Sequence, residues 1–143
     1  MELPRSAVAV VEMAEHFVVQ RRPNLPGELA YPGMLQLLGG SANPGESLAE
    51  AVLRELGEET TLNTNHLVAE PEWEGPYTSE DKAGKPLERY VGLFRVAVAE
   101  PFTLTEQGEL VHVGKTPEAV DAIAIEATPF AHWALMRVYR NRR

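Results

Sequence analysis

The chain has 143 residues, enough for one domain with a buried core, and 44% of them are hydrophobic. It contains no cysteine, which excludes disulfides, thiolate metal ligands and cysteine nucleophiles. The net charge of −8 argues against a nucleic acid polymer as partner, because acidic proteins repel phosphates unless a cation intervenes. The basic C-terminal run of Arg137, Arg140, Arg142 and Arg143 is typical of a solvated tail.

The N-terminal segment has neither the basic start nor the long apolar run of a signal peptide. No stretch approaches the roughly 20 apolar residues of a membrane span. The expectation is a cytoplasmic protein without a membrane partner. No repeat or linker interrupts the chain, so residues 1–143 are predicted to form a single domain.

The first elements are predicted from valine-rich segments at residues 7–11 and 17–20, which a short polar turn separates. This pattern predicts a β-hairpin or two adjacent strands. Residues 23–32 hold three prolines and predict a loop. Residues 34–38 form a short apolar run that two glycines follow.

A helix is predicted over residues 46–59. Ala49, Val52, Leu53 and Leu56 fall at i, i+3, i+4 and i+7, and so form one apolar stripe on a helical surface. A proline and a glycine precede this segment, which suits the start of a helix after a turn.

The second half of the chain predicts strands at residues 67–73 and 89–99 and helices at 117–122 and 130–139. Residues 75–86 are polar and broken by glycine and proline, which predicts a mobile loop. Strands mixed with helices in this way indicate an α/β domain.

The polar face of the first predicted helix concentrates acidic side chains. Glu55, Glu58 and Glu59 stand at i, i+3 and i+4, so their side chains lie close together. Arg54 is the only basic residue between positions 41 and 65. Such a cluster either forms a solvated acidic face or holds a divalent cation, for which Mg²⁺ has the preferred oxygen chemistry and Mn²⁺ a similar one.

Residues 40–62 resemble the Nudix box, which is a glycine, five residues, a glutamate, seven residues and then R-E-U-x-E-E-x-G-U, where U is aliphatic. The chain reads Gly40, SANPG, Glu46, SLAEAVL and then RELGEETTL. A chance match is about one in a million for a chain of this length. Thr61 stands where the family has glycine, so the helix either ends without a left-handed glycine or tolerates strain.

The resemblance implies a Nudix-like α/β/α sandwich with a central mixed β-sheet. It implies a Nudix-type pyrophosphohydrolase that uses Mg²⁺, or Mn²⁺, to cleave a nucleoside diphosphate derivative such as a nucleoside triphosphate or ADP-ribose. Glu58 and Glu59 would hold the metal with the carbonyl of Gly39, and Glu55 would be a third ligand or the general base. Arg54 would orient a neighbouring carboxylate.

Several residues outside this helix are candidates for the same site. In several Nudix relatives a further glutamate completes the metal site or acts as the general base, and Glu106 and Glu109 are the candidates here, with exposed loop acids as the alternative. Either Arg21 or Arg22 would reach a substrate phosphate, unless both are solvated at a strand end. Tyr31, Trp73 or Tyr77 would stack on the base, although core packing is the alternative for each of them.

The expected partner is a small-molecule nucleotide, and a homodimer is a further option. Two other hypotheses compete with the enzyme. One is a nucleotide-binding sensor or regulatory module that kept the fold and lost catalysis, and the other is a plain acidic α/β domain without metal. All carboxylates of the box are present, which favours the enzyme.

Overall fold

The structure is a computed structural model that describes residues 2–141, so Arg142 and Arg143 of the basic run lie outside the described residues. Within this range the chain forms seven strands and three helices, with one turn of 3-10 helix at Thr64–His66. In order, they are β1 (Arg5–Glu12), β2 (His16–Arg21), β3 (Leu35–Gln36), β4 (Leu38–Ser41), α1 (Leu48–Glu59), β5 (Glu70–Glu80), β6 (Pro86–Ala97), β7 (Glu109–Gly114), α2 (Pro117–Ala122) and α3 (Pro129–Arg140).

All seven strands belong to one mixed sheet with β1 at its centre. β1 runs parallel to β6 and antiparallel to β2 and β4, while β2 also pairs with β3 and β7, and β6 with β5. The predicted α/β/α sandwich with a central mixed sheet is therefore confirmed. That residues 1–143 form a single domain stays a prediction. Among residues 2–141, every helix falls short of the length and hydrophobicity of a membrane span.

The central strand β1 shows how the two layers of helices are held. Val10 packs in the core under α3, whereas Ala7, Ala9 and Val11 pack in the core under α1. Side chains alternate across a strand, so one strand serves both cores. Because both faces of β1 are buried, it appears in the sequence as a nearly continuous apolar run.

Helix α1 begins at Leu48, two residues later than the predicted start, because Ser47 caps it. The Ser47 Oγ accepts from the Glu50 N–H at 3.0 Å, and the Glu50 carboxylate accepts from the Ser47 N–H at 2.9 Å. This capping box satisfies two backbone donors that a helix start leaves free. The buried stripe of the helix packs over the sheet and consists of Leu48, Ala51, Val52 and Leu56.

The C-terminal end of α1 shows how the helix ends with threonine instead of glycine at position 61. Thr60 caps the helix in an extended conformation, with φ −132°, and its Oγ1 donates to the Leu56 carbonyl at 2.6 Å. Thr61 follows without a positive φ, and its N–H donates to the Thr103 carbonyl at 2.9 Å. Among the described residues, the only one other than glycine with positive φ is Tyr31. The helix therefore ends without a left-handed residue, and Thr61 carries no strain of that kind.

The prediction of a mobile loop at residues 75–86 is wrong. β5 and β6 form a long antiparallel hairpin, paired from Glu70–Arg95 to Glu80–Pro86, and only residues 81–85 form the turn. Proline and glycine are tolerated in β5 because this strand lies at the edge of the sheet, where a missing ladder hydrogen bond costs little.

Candidate active site

The Arg54 guanidinium contacts three carboxylates of the box. Its Nε and Nη2 contact the two carboxylate oxygens of Glu46 at 2.8 and 3.0 Å. Its Nη1 contacts Glu55 at 3.2 Å and Glu58 at 3.1 Å, and Nη2 also donates to the Ser41 carbonyl at 2.9 Å. The hydrogen bonds from Arg54 lower the pKa of Glu46. One guanidinium thus offsets the repulsion among three carboxylates.

Glu59 is the one glutamate at a fixed position of the Nudix pattern that Arg54 does not contact. Its Oε1 accepts from the Gly39 N–H at 2.9 Å. Burial raises the pKa of the Glu59 carboxyl to about 7, and the negative charges of Glu55 and Glu106 add to the rise, while the Gly39 hydrogen bond and Arg22 oppose it. A cation beside Glu59 would favour the ionised carboxylate and so offset the cost of its burial.

The shifted pKa of Glu59 predicts how stability depends on pH. The folded state raises this pKa from the ordinary 4.5 to about 7, so between these values it binds more protons than the unfolded chain. We expect the free energy of unfolding of the metal-free protein to receive a contribution from Glu59 that falls as pH rises from about 4.5 to about 7. Glu59→Gln should remove this contribution, because an amide does not titrate.

Urea unfolding at a series of pH values measures this effect. Glu50→Gln on the same helix is the matched control, because the capping hydrogen bonds lower the pKa of Glu50. Glu50 therefore contributes stability that is lost as pH falls below the ordinary pKa, the opposite direction to Glu59. A pH slope that Glu59→Gln leaves unchanged would contradict the prediction.

Two glycines of β4 allow the acidic end of α1 to approach the sheet. Gly39 has φ +138°, and a Cβ there would lie 2.3 Å from the Ala7 carbonyl oxygen of β1. A Cβ on Gly40 would lie 2.6 Å from the Glu55 carboxyl group. Position 39 therefore requires glycine for its conformation and its backbone packing, whereas a side chain at position 40 would displace the Glu55 carboxylate.

The donor chemistry of the site fits a hard divalent cation. In the described part of the chain, no three acidic or histidine side chains already surround a cation position, since Arg54 holds Glu55 and Glu58. The carboxylates nevertheless supply only oxygen ligands, which Mg²⁺ and Mn²⁺ prefer. Gly40 leaves room for the Glu55 carboxylate, and Glu59 is a buried carboxyl whose pKa is raised by burial and by the charges of Glu55 and Glu106.

The structure separates the two candidate carboxylates outside the box. Thr105 donates its N–H to the Glu59 carbonyl at 2.8 Å and its hydroxyl to the Glu58 carbonyl at 2.6 Å. The next residue, Glu106, is thereby brought to the end of α1, and its charge acts on Glu59. Glu109 lies at the start of β7, where its carboxylate forms an ion pair with Arg21 of the neighbouring strand β2.

Arg21 joins Glu109 to two other parts of the chain. Its Nε contacts the Glu109 carboxylate at 3.2 Å. Arg21 also contacts the Glu126 carboxylate at 2.9 Å and donates to the Gly33 carbonyl at 3.1 Å. Both Arg21 and Glu109 are thus engaged in an ion pair between elements. Their roles in substrate or metal binding stay predictions.

Arg22, in contrast, lines a cleft of about 500 Å³ that also borders Gly39 and Gly40. Its Nη1 donates to the Ala30 carbonyl at 3.1 Å. Burial lowers the pKa of Arg22, and the charges of Glu59 and Glu106 oppose this. Arg22 therefore lines the cleft and lies near enough to Glu59 and Glu106 for their charges to act on it.

The cleft lies on the face of the sheet that α3 covers, and aromatic side chains line it. Tyr77 of β5 and Phe130 of α3 pack edge to face, with ring centroids 4.6 Å apart. Tyr31 also lines the cleft, and its hydroxyl accepts from the Glu80 N–H at 2.9 Å. Burial raises the pKa of Tyr77. A flat aromatic ligand would find stacking partners here.

Sequence reasoning missed most of the residues that line the cleft, among them Phe130 and Arg89. Arg89 donates from Nη1 to the Ser6 Oγ at 3.2 Å. Leu87, Arg89 and Val91 all line the cleft because they alternate along β6. The sequence contains this alternation, but the predicted loop ends at residue 86 and the predicted strand begins only at residue 89. The prediction therefore leaves the first residues of β6 out of the strand.

Comparison with known proteins supports this description. The family model described as NUDIX domain matches residues 2–137. No curated protein matches the chain significantly. This chain therefore belongs to the NUDIX domain family, and it is a Nudix-type hydrolase.

Solved structures share the fold at low sequence identity. A MutT protein from Methanosarcina mazei Go1 is 22% identical, with a TM-score of 0.75 over 99% of this chain and 97% of that one. The E. coli dihydroneopterin triphosphate pyrophosphohydrolase is 16% identical, with a TM-score of 0.71 over 99% and 98%. A bifunctional NMN adenylyltransferase/ADP ribose pyrophosphatase from Francisella tularensis, complexed with AMP and Mn ion, is 19% identical, with a TM-score of 0.68 over 96% and 41%.

Proposed function

We propose that this protein hydrolyses a pyrophosphate bond in a small nucleoside diphosphate derivative with the help of Mg²⁺. The observation that carries the proposal is the position of the box. Glu59 and Glu55 of α1 lie against Gly39 and Gly40, and these two glycines border the aromatic cleft. A volume of about 500 Å³ falls within the range of small-molecule sites.

In this proposal Glu55, Glu58, Glu59 and the Gly39 carbonyl hold the metal, with Mn²⁺ as the alternative to Mg²⁺. When bound, such an ion neutralises phosphate charge and activates a water molecule. Arg54 orients Glu55 and Glu58 through its Nη1 contacts at 3.2 and 3.1 Å. The Gly39 N–H orients Glu59 in the same way.

Proton transfer from the attacking water needs a carboxylate near the scissile bond. Glu55, which Arg54 orients, and Glu106, which follows the anchored Thr105, are the two candidates for this role. Arg22 borders both the acids and the cleft, and we assign it to a substrate phosphate.

The nucleoside is assigned to the aromatic part of the cleft, where Tyr77 and Phe130 offer ring surfaces for stacking. The names of the structural relatives support a nucleotide as substrate, since they include a triphosphate pyrophosphohydrolase and an ADP ribose pyrophosphatase complexed with AMP and Mn ion. A nucleoside triphosphate and ADP-ribose are therefore the first substrates to test. A homodimer and a cytoplasmic location stay predictions.

A panel of nucleotides with Mg²⁺ or Mn²⁺ tests the proposed function. It should include the common and oxidised nucleoside triphosphates and nucleotide sugars such as ADP-ribose. We expect release of pyrophosphate or of nucleoside monophosphate from at least one member, and loss of turnover with a chelator. Melting temperatures should rise with Mg²⁺ in a saturable way. A protein that binds Mg²⁺ in this assay but turns over no member of the panel would contradict the proposal.

A further inference from the structure

Thr61 stands at the one position where the box departs from its family pattern, and its side chain makes a bond that glycine cannot make. The Thr61 Oγ1 accepts from the Thr103 N–H at 3.0 Å. The Thr61 N–H donates to the Thr103 carbonyl at 2.9 Å. Beside this pair, Thr60 and Leu104 form an antiparallel bridge. The segment after the box is therefore joined to residues 103–104 by both backbone and side chain.

Thr105 extends this connection onto the last turn of α1. Its N–H donates to the Glu59 carbonyl at 2.8 Å and its hydroxyl donates to the Glu58 carbonyl at 2.6 Å. Carbonyls in the last turn of a helix have no partner within the helix. We call the group Thr60, Thr61, Thr103 and Thr105 the threonine clamp. It supplies the partners that a left-handed glycine supplies in other helices.

The threonine clamp fixes the chain directly before Glu106. Consecutive Cα atoms are about 3.8 Å apart, so the backbone of Glu106 is held within one residue of the anchored Thr105. The charge of Glu106 acts on both Glu59 and Arg22. The threonine clamp thus connects Thr61, where the sequence departs from the family pattern, to Glu106. Of the two candidate carboxylates outside the box, Glu106 is the one that lies at the end of α1.

We propose that Thr61 is a positioning residue, whose hydroxyl holds residues 103–106 against the end of α1 and so places the Glu106 carboxylate beside Glu59. The inference rests on the proposed function of the box as a metal-dependent site. Glycine at position 61 would keep the backbone bonds but leave the Thr103 N–H without its side-chain acceptor. The segment would then open more often, and Glu106 would spend less time at the site.

The test compares Thr61→Val, which keeps the shape and removes the hydroxyl, with Thr61→Ser, which keeps the hydroxyl. Thr78→Val is the matched control, because Thr78 is an exposed threonine of β5. Three quantities are measured for each variant: amide hydrogen exchange at Thr103 and Thr105, Mn²⁺ affinity by calorimetry without substrate, and kcat and KM with a substrate from the panel.

We expect Thr61→Val to speed exchange at Thr103 and Thr105 on the order of tenfold, the effect of losing one hydrogen bond. It should weaken Mn²⁺ binding several-fold and lower kcat with little change in KM. Thr61→Ser should restore all three quantities, and Thr78→Val should change none. Glu106→Gln should reproduce the effects on Mn²⁺ and kcat without faster exchange, and adding Thr61→Val to it should cause little further loss.

The proposal is overturned if Thr61→Val binds Mn²⁺ and turns over substrate as the wild type does, or if Thr61→Ser fails to rescue. It is also overturned if the effects of Thr61→Val and Glu106→Gln multiply fully, since they would then act independently. If the wild type turns over no substrate, the proposed function fails, while the Mn²⁺ affinities of the variants still decide on the threonine clamp.

Discussion

Glu58→Gln is expected to lower kcat on the order of 100-fold or more while the protein stays folded. The Glu58 side chain is 59% exposed, and its ion pair with Arg54 spans 3.1 Å. Pairs this exposed stabilise a protein by about 1 kcal/mol at most, so the melting temperature should change little. Removing the charge from a group that stabilises the transition state costs about 100- to 1,000-fold in turnover.

Steady-state kinetics with the best substrate of the panel measures this effect. Glu50→Gln is the matched control, because it makes the same substitution on the same helix, and glutamine also serves in a capping box. Its kcat should stay within about twofold of the wild type. Equal turnover by the two variants would contradict the assignment of Glu58. A module that only binds nucleotides has no turnover to lose, so the same experiment separates it from the enzyme.

Gly39→Ala is expected to lower the free energy of unfolding by about 3 to 5 kcal/mol, the sum of a forced backbone conformation and an overpacked contact. Gly39 has φ +138°, which residues with a side chain rarely adopt, and its Cβ would lie 2.3 Å from the Ala7 carbonyl oxygen. That oxygen belongs to the backbone of the central strand, so it cannot move aside without disturbing the sheet. The melting temperature should fall by roughly 10 °C.

Gly84→Ala separates the two causes. Gly84 also has positive φ, +79°, but no heavy atom would lie within 4 Å of its Cβ. It should therefore lose only the cost of the left-handed conformation, about 1 kcal/mol. Urea unfolding of both variants measures the difference. If the two variants lose equal stability, the contact with Ala7 is not the cause, and Gly39 is required for its conformation alone.

Elements with strong local signals could be predicted from the sequence. The predicted helix at residues 117–122 agrees with α2, because Thr116 caps it and Pro117 suits its first position. The predicted hairpin of residues 7–11 and 17–20 corresponds to β1 and β2, since both runs are valine-rich and a short turn joins them. In these elements the residues that decide the structure are neighbours in sequence.

Elements that depend on distant partners could not be predicted in the same way. Gly75 and Pro76 indicate a loop locally, yet pairing with β6 extends β5 through both of them. β7 was not predicted, because its six residues gain their order from pairing with β2, about 90 residues earlier in the chain. The free energy of such pairing comes from the tertiary structure, which overrides weak local preferences.

The sequence by itself determined the family and the chemistry of the box, because Arg54, Glu55, Glu58 and Glu59 are set side by side by the repeat of a single helix. Only the tertiary structure decided which residues outside that helix join them. Arg21 forms an ion pair with Glu109, and Arg22 lines the cleft. The hydrogen bonds of the threonine clamp hold the chain before Glu106 at the end of α1. Those contacts join residues far apart in the chain, and their geometry follows from strand pairing and packing that no local pattern encodes.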